Sequence, residues 1–158
     1  MKKIIVDTNV FIDGFFSLEE TSSSKILREL DSNDSRLVFS LETIGELLYI
    51  LKRHCNSLEM ESEDAIEILT EAVTLFYQGK SINTRRTKSP VQAKDADDQM
   101  FIDAAFESSA DFIITFDKKS GLLDIDLDKV NFKCFTPEDY LEHIKDSGNI
   151  TTIHEFED

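Results

Sequence analysis

The sequence predicts an α/β protein: a three-layer α/β/α sandwich with a mostly parallel central sheet. Two observations carry this. Short β-branched runs alternate along the chain with amphipathic stretches at helical spacing, the order that gives a sheet flanked by helices. Two of those runs, "IIVD" at residues 4–7 and "FIITFD" at 112–117, end on an acid. In open α/β sheets, ligands bind outside the carboxyl ends of the strands. A chain of 158 residues is one domain by size and long enough to bury a core.

In chain order, residues 3–7 read as a short buried strand, continuous and β-branched. "NVFIDGFF" is a helix start or a turn containing Gly14. "TSSSKILRELDSND" offers serine caps ahead of Ile26, Leu27 and Leu30, which have helical spacing, and ends in a polar loop. "RLVFS" is the second strand. "SLETIGELLYILKRH" is the clearest helix: Ser40 can cap it, Leu41, Ile44, Leu48 and Leu51 share a face, and Lys52, Arg53 and His54 suit its last turn. "SEDAIEILTEAVTLFYQG" is a further helix, expected to be capped by Ser62 and closed by Gly79. Residues 79–94 are a polar loop, with room for a short strand around 81–83. "DADDQMFIDAAFESSA" is helical with Met100, Phe101, Ala104 and Ala105 inward. "DFIITFD" and "VNFKCFTP" are strands, and "PEDYLEHIKD" is a closing helix with Pro137 in its first turn. The expected organisation is one domain over residues 1–147 and a polar, acidic, frayed tail over 148–158.

Composition excludes some functions and complicates others. No run of about 18 apolar residues is present, so no membrane span is expected. The apolar run at the N-terminus is too short and too acidic for a secretory signal. Cys55 and Cys134 lie far apart and match no metal or redox spacing, as expected for reduced thiols in a cytoplasmic protein. Seventeen basic against thirty-two acidic residues give a net charge of −15, a field that on average repels nucleic acid. With so many acids, a lone carboxylate carries little information, and only one in an unlikely setting counts.

Four acids have such settings. Asp7 and Asp117 end predicted strands. Glu46 lies within the apolar helix "TIGELLYIL", and Asp98 opens the helix "DQMFIDAAF". Each alone has a structural competitor: a helix cap for Asp7 or Asp98, a turn for Asp117, a solvated helix position for Glu46. Two strand ends and two helices can nonetheless converge at one edge of a small sheet. Four carboxylates there would repel and raise one another's pKa values, and no neighbouring set of Arg or Lys matches them. A hard divalent cation, Mg²⁺ or Mn²⁺, relieves that repulsion and leaves coordination sites for water and phosphate. Asn9, a neutral oxygen and amide donor, could orient a ligand or a scissile phosphate.

Over residues 3–145 the chain resembles the PIN-domain ribonucleases, including the toxins of bacterial toxin–antitoxin pairs. The resemblance rests on "IVDTNVFI", "ETIGELLYIL", "DADDQMFIDAA" and "ADFIITFDKKSGLL", in that order and spacing. It implies a PIN-like fold with metal-binding, catalytic acids at Asp7, Glu46, Asp98 and Asp117, and supporting polar residues at Asn9 and Thr115. It further implies hydrolysis of phosphodiesters in single-stranded RNA with one or two Mg²⁺ or Mn²⁺ ions. An antitoxin protein and a homodimer are open as partners. Three positions depart from the family pattern: Ala96 after Asp95, Lys119 two residues after Asp117, and Gln99 where an acid is common. Asp95 and Asp97 are nearby candidates for a second metal position.

A basic patch offsets the charge problem. Lys80, Arg85, Arg86, Lys88 and Lys94 fall within residues 79–94, which contain no acid and run into the Asp95–Asp98 motif. They are expected to contact RNA beside the metal site, or a protein partner. The competing function is a PIN-fold binding module with weak or no catalysis. A phosphatase or phosphotransfer receiver would also gather acids at strand ends, but the paired acids and "DxDxT" such proteins carry are absent from the first strand.

Overall fold

The computed structural model describes residues 1–116, 122 and 125–154; for Leu127 and residues 149–154 only the backbone is described. Five strands, β1 (Lys2–Val6), β2 (Ser35–Ser40), β3 (Lys80–Ile82), β4 (Phe112–Ile114) and β5 (Lys133–Phe135), form one sheet in the order β3-β2-β1-β4-β5. Every pairing is parallel. Between them run the helices α1 (Thr8–Phe16), α2 (Ser22–Arg28), α3 (Leu41–Ser57), α4 (Ser62–Gln78), α5 (Gln99–Ser108) and α6 (Pro137–His154). β1 sits at the centre, with its successors on both sides, so the strand order reverses there, the point at whose carboxyl end such sheets bind ligands.

Alternation along the strands explains the layers. Ile4 and Val6 face one core, which α1, α2, α3, α4 and α6 cover; Ile5, Val38 and Ile113 face the other. Among the described helices, α5 supplies the second core, through Phe101, Ile102, Ala104 and Ala105. Loop residues complete it, chiefly Val91, Leu122 and Phe132. The sandwich is therefore lopsided. Alanines on α5 let that helix lie close to the strands, and the segment 83–95 has a structural duty there through Val91.

Several local expectations change in the folded chain. The Asp7-to-Ser17 segment is a true helix that includes Gly14, where a methyl group would meet Leu27 Cδ1 at 2.7 Å. That glycine permits the close approach of α1 and α2. Thr21, rather than a serine, caps α2, reciprocally with Ser24. Ser40 caps α3 as predicted, its hydroxyl accepting from the Thr43 N–H, but Leu41 is 79% exposed. The buried line on α3 runs instead through Thr43, Leu47, Leu51 and Cys55. Ser62 is the first residue of α4 and not its cap; Glu61 takes that position without a side-chain bond. Ile102 joins the inward residues of α5, and the α6 helix continues past Gly148 to His154. Among the described residues, no helix is long and apolar enough to cross a membrane.

Candidate active site at the carboxyl edge of the sheet

Asp7 follows the last residue of β1 and is 5% exposed. It stands at the N-cap position of α1, yet its side chain makes no capping bond. Instead Thr115 Oγ1 donates to Asp7 Oδ2 at 2.8 Å. Strand register makes this pair. Val6 lies opposite Ile114, and the Asp7 N–H donates to the Ile114 carbonyl at 2.9 Å, so the next residues on the two strands are neighbours. Thr115 is fully buried. A buried carboxylate with a dedicated hydroxyl donor is a positioned group, not a solvated one.

Glu46 reaches the same edge from α3, whose first turn begins where β2 ends. Thr8 Oγ1 donates to Glu46 Oε2 at 2.7 Å. Thr8 and Asp7 are adjacent, so two hydroxyls fix two acids on either side of the β1–α1 junction. Burial pushes the Glu46 carboxyl above the usual glutamate range; the Thr8 bond opposes this, and the charges of Asp98 and Asp97 add to the rise. Asp98 is thus close enough to act electrically on Glu46. Among the described residues, no lysine or arginine is ion-paired with Glu46.

Asp98 is half-buried at the start of α5, and its side chain does not cap that helix. The capping work falls to Asp95, whose Oδ1 accepts from the Asp97 N–H at 3.0 Å in the short 3-10 turn Ala96–Asp98. The cap that the sequence offers for Asp98 is therefore made by Asp95 three residues earlier. The charge of the Asp98 carboxylate is felt at Glu46. Asn9 is exposed on the first turn of α1. Asp117 lies outside the described residues, as does Lys119. Among the described residues, no three His, Cys, Asp or Glu side chains gather tightly enough to hold a metal ion by themselves. The donor set nonetheless fits a hard cation: carboxylate oxygens from Asp7, Glu46 and Asp98, two of them held by hydroxyls at one strand end.

Gln99, where relatives often have an acid, has a visible role. Its Oε1 accepts from the Ala93 N–H at 2.7 Å, while its Nε2 donates to the Val91 carbonyl and to Asp103 Oδ1. It brackets the loop 91–93 onto α5. A carboxylate could accept the first bond but could not donate the other two. The sequence shows Gln99 only as a departure from a family pattern, because an amide's usefulness depends on which backbone groups come to face it.

The basic stretch is also more structured than a solvated loop. The Thr87 N–H donates to the Thr84 carbonyl, closing a turn with Arg85 and Arg86 exposed at its tip. Thr84 Oγ1 donates to Glu42 Oε2 at 3.0 Å, and Thr87 Oγ1 to Glu107 Oε2 at 2.8 Å. Glu42 lies on the first turn of α3, one helical turn before Glu46. Glu107 lies near the end of α5, nine residues from Asp98 and so about 13 Å along the axis. The two arginines are therefore clamped between the site edge and the far end of α5, while Lys94 adjoins the acidic turn. Lys80 and Lys88 are exposed.

This arrangement, a parallel sheet with Asp7 at the end of its central strand and Glu46 and Asp98 on two helices, is accompanied by a match of residues 3–119 to the family model of the PIN domain. The chain belongs to the PIN-domain family. Its fold is similar to that of a chain in the crystal structure of VapBC2 from Rickettsia felis bound to a DNA fragment from their promoter. That similarity has a TM-score of 0.53 at 13% sequence identity, over 85% of this chain and 98% of the other. No curated protein matches the sequence.

Proposed function

We propose that this PIN-domain protein is a metal-dependent endoribonuclease that hydrolyses phosphodiester bonds in single-stranded RNA, and that it is of the toxin type. The observation that carries the reading is the buried Asp7, held by Thr115, beside a Glu46 held by Thr8, whose carboxyl is raised by burial and further by the charges of Asp98 and Asp97. Asp7, Asp98, Asp117 and Glu46 would hold one or two Mg²⁺ or Mn²⁺ ions. Such an ion supplies a water of lowered pKa and neutralises charge at the phosphorus under attack. Thr115 and Thr8 fix the direction of two of the carboxylates, so that little reorganisation is needed when substrate arrives. Asn9, exposed on the first turn of α1, would donate its amide to a phosphate oxygen. Lys80, Arg85, Arg86, Lys88 and Lys94 offset the chain's negative field along the path of the RNA backbone.

The test is cleavage of single-stranded RNA in Mn²⁺ by wild type and Asp7→Asn. Loss of at least about a hundredfold is expected, on the scale of losing one charge-stabilising group. Equal rates would leave a binding module in the PIN fold, the reading that the −15 net charge favours. Neutralising Arg85 and Arg86 together should flatten the salt dependence of RNA binding by about 0.7 in log–log slope for each lost phosphate contact. An unchanged slope would remove them from the interface.

A toxin of this kind works with a protein antitoxin, as the VapBC2 pairing suggests for that structure. A groove of about 680 Å³ between α1, α2 and α4 suits such a partner. Phe15, Leu27 and Leu75 line it, and Glu63, Glu67 and Glu71 stand along α4 at four-residue intervals. An apolar segment carrying basic residues would match both features. A homodimer and a cytoplasmic location complete the reading.

A further inference from the structure

Phe116 is 44% exposed, and it directly follows the threonine that holds Asp7. Among the described residues, the exposed phenylalanines are Phe116 and Phe106. Phe106 lies in the last turns of α5, toward the opposite edge of the sheet. Isolated apolar residues on a surface are ordinary, so exposure alone says little about either. Position separates them. Burial is continuous through Phe112, Ile113, Ile114 and Thr115, and it stops at Phe116, at the carboxyl end of β4. Register sets Thr115 beside Asp7, and consecutive Cα atoms are about 3.8 Å apart. Phe116 therefore stands one residue beyond the threonine that holds the site's most buried acid, at the edge where the proposed scissile phosphate would sit.

We infer that Phe116 is a stacking platform for a nucleobase flanking the scissile phosphate, making the preferred substrate a strand with unpaired bases. This rests on the ribonuclease reading and adds to it a residue that touches the base and not the phosphate. The chain's charge gives such a contact particular value. A protein at −15 repels the backbone on average. Base–aromatic stacking needs no favourable field and tolerates any base sequence, because every base has a π-face. A base inside a duplex is already stacked on its neighbours and cannot use the ring. Selection of single strands then follows from the site itself.

The experiment compares wild type, Phe116→Ala and Phe116→Trp on a short oligouridine and on an abasic strand of the same length, in Mn²⁺. Phe116→Ala should raise KM for the oligouridine about 5- to 100-fold, the range expected for one lost stack, with kcat little changed. It should leave the abasic strand unaffected. Phe116→Trp should restore KM. Because the natural chain contains no tryptophan, the emission of this variant reports on one position. It should be quenched by the oligouridine and not by the abasic strand. If wild type cleaves RNA and Phe116→Ala matches it in KM, or loses both strands equally, the platform is overturned and the nuclease reading stands. If wild type neither binds nor cleaves any RNA, the nuclease reading falls and the platform falls with it.

Discussion

Two threonines at the carboxyl edge of the sheet and two in the basic turn make the same bond, a hydroxyl donated to a carboxylate. At the edge the pairs are Thr115–Asp7 and Thr8–Glu46; in the turn they are Thr84–Glu42 and Thr87–Glu107. The difference is burial. Asp7, Thr8 and Thr115 are all buried, whereas Glu42, Glu107 and the arginines between the turn's threonines are exposed. In the buried Thr115–Asp7 pair, water cannot replace a lost partner, so the bond fixes both stability and the direction of a carboxylate of the candidate site. In the wet pair, water can replace it, so the bond chiefly restrains a loop. Identical chemistry thus serves positioning in one place and presentation in the other.

Three experiments sharpen or break this contrast. The largest effect should come from Thr115→Val, which leaves the Asp7 carboxylate without its hydroxyl donor. A loss of about 1–3 kcal/mol in urea unfolding is expected, with Thr115→Ser recovering most of it. No loss would show that the buried bond is not a special constraint.

A smaller effect, of opposite sign, should come from Glu46→Gln in metal-free buffer. Burial and the charges of Asp98 and Asp97 raise the folded carboxyl above its unfolded value. The folded state therefore holds its proton more tightly. This group's contribution is fully present below the unfolded pKa and is lost as pH rises through the folded one. Wherever Glu46 is ionised its charge is a liability that glutamine removes, while glutamine can still accept from Thr8. The melting temperature should rise at pH 7, and the gain should shrink toward pH 4. Activity should fall. A gain that is independent of pH would contradict the electrostatic account.

The smallest stability effect should come from Thr84→Val together with Thr87→Val, at most about 0.5 kcal/mol where the lost bonds lie open to water. RNA affinity should nevertheless weaken, because Arg85 and Arg86 would lose the restraint that presents them. Unchanged affinity in a fluorescence titration would mean that the turn does not need its clamps.

Much of this was legible in the residues. The β-branched runs that end on Asp7 and near Thr115 located β1 and β4, and Ser40 marked the start of α3. The misreadings share a cause. Leu41 has the spacing of a buried face and Ser62 the chemistry of a cap, yet the packing of α3 and α4 chose other residues. A helical stripe is wide enough to rotate by one position without changing its pattern. Similarly, Asp95 and Asp98 are equivalent acids in a string of four-residue polar sequence. Only the 3-10 turn decides that Asp95 caps while Asp98 makes no capping bond.

By itself the sequence determined the order of elements, the burial of the first strand and the residue types able to meet a cation, because periodicity and side-chain chemistry are local properties. Tertiary structure alone decided the partnerships. Thr115 finds Asp7 from 108 positions away, Thr8 finds Glu46 from 38, and Gln99 finds two backbone groups of a loop. Hydrogen bonds form over about 3 Å of space, and distance along a chain carries no trace of them until parallel strands are set in register.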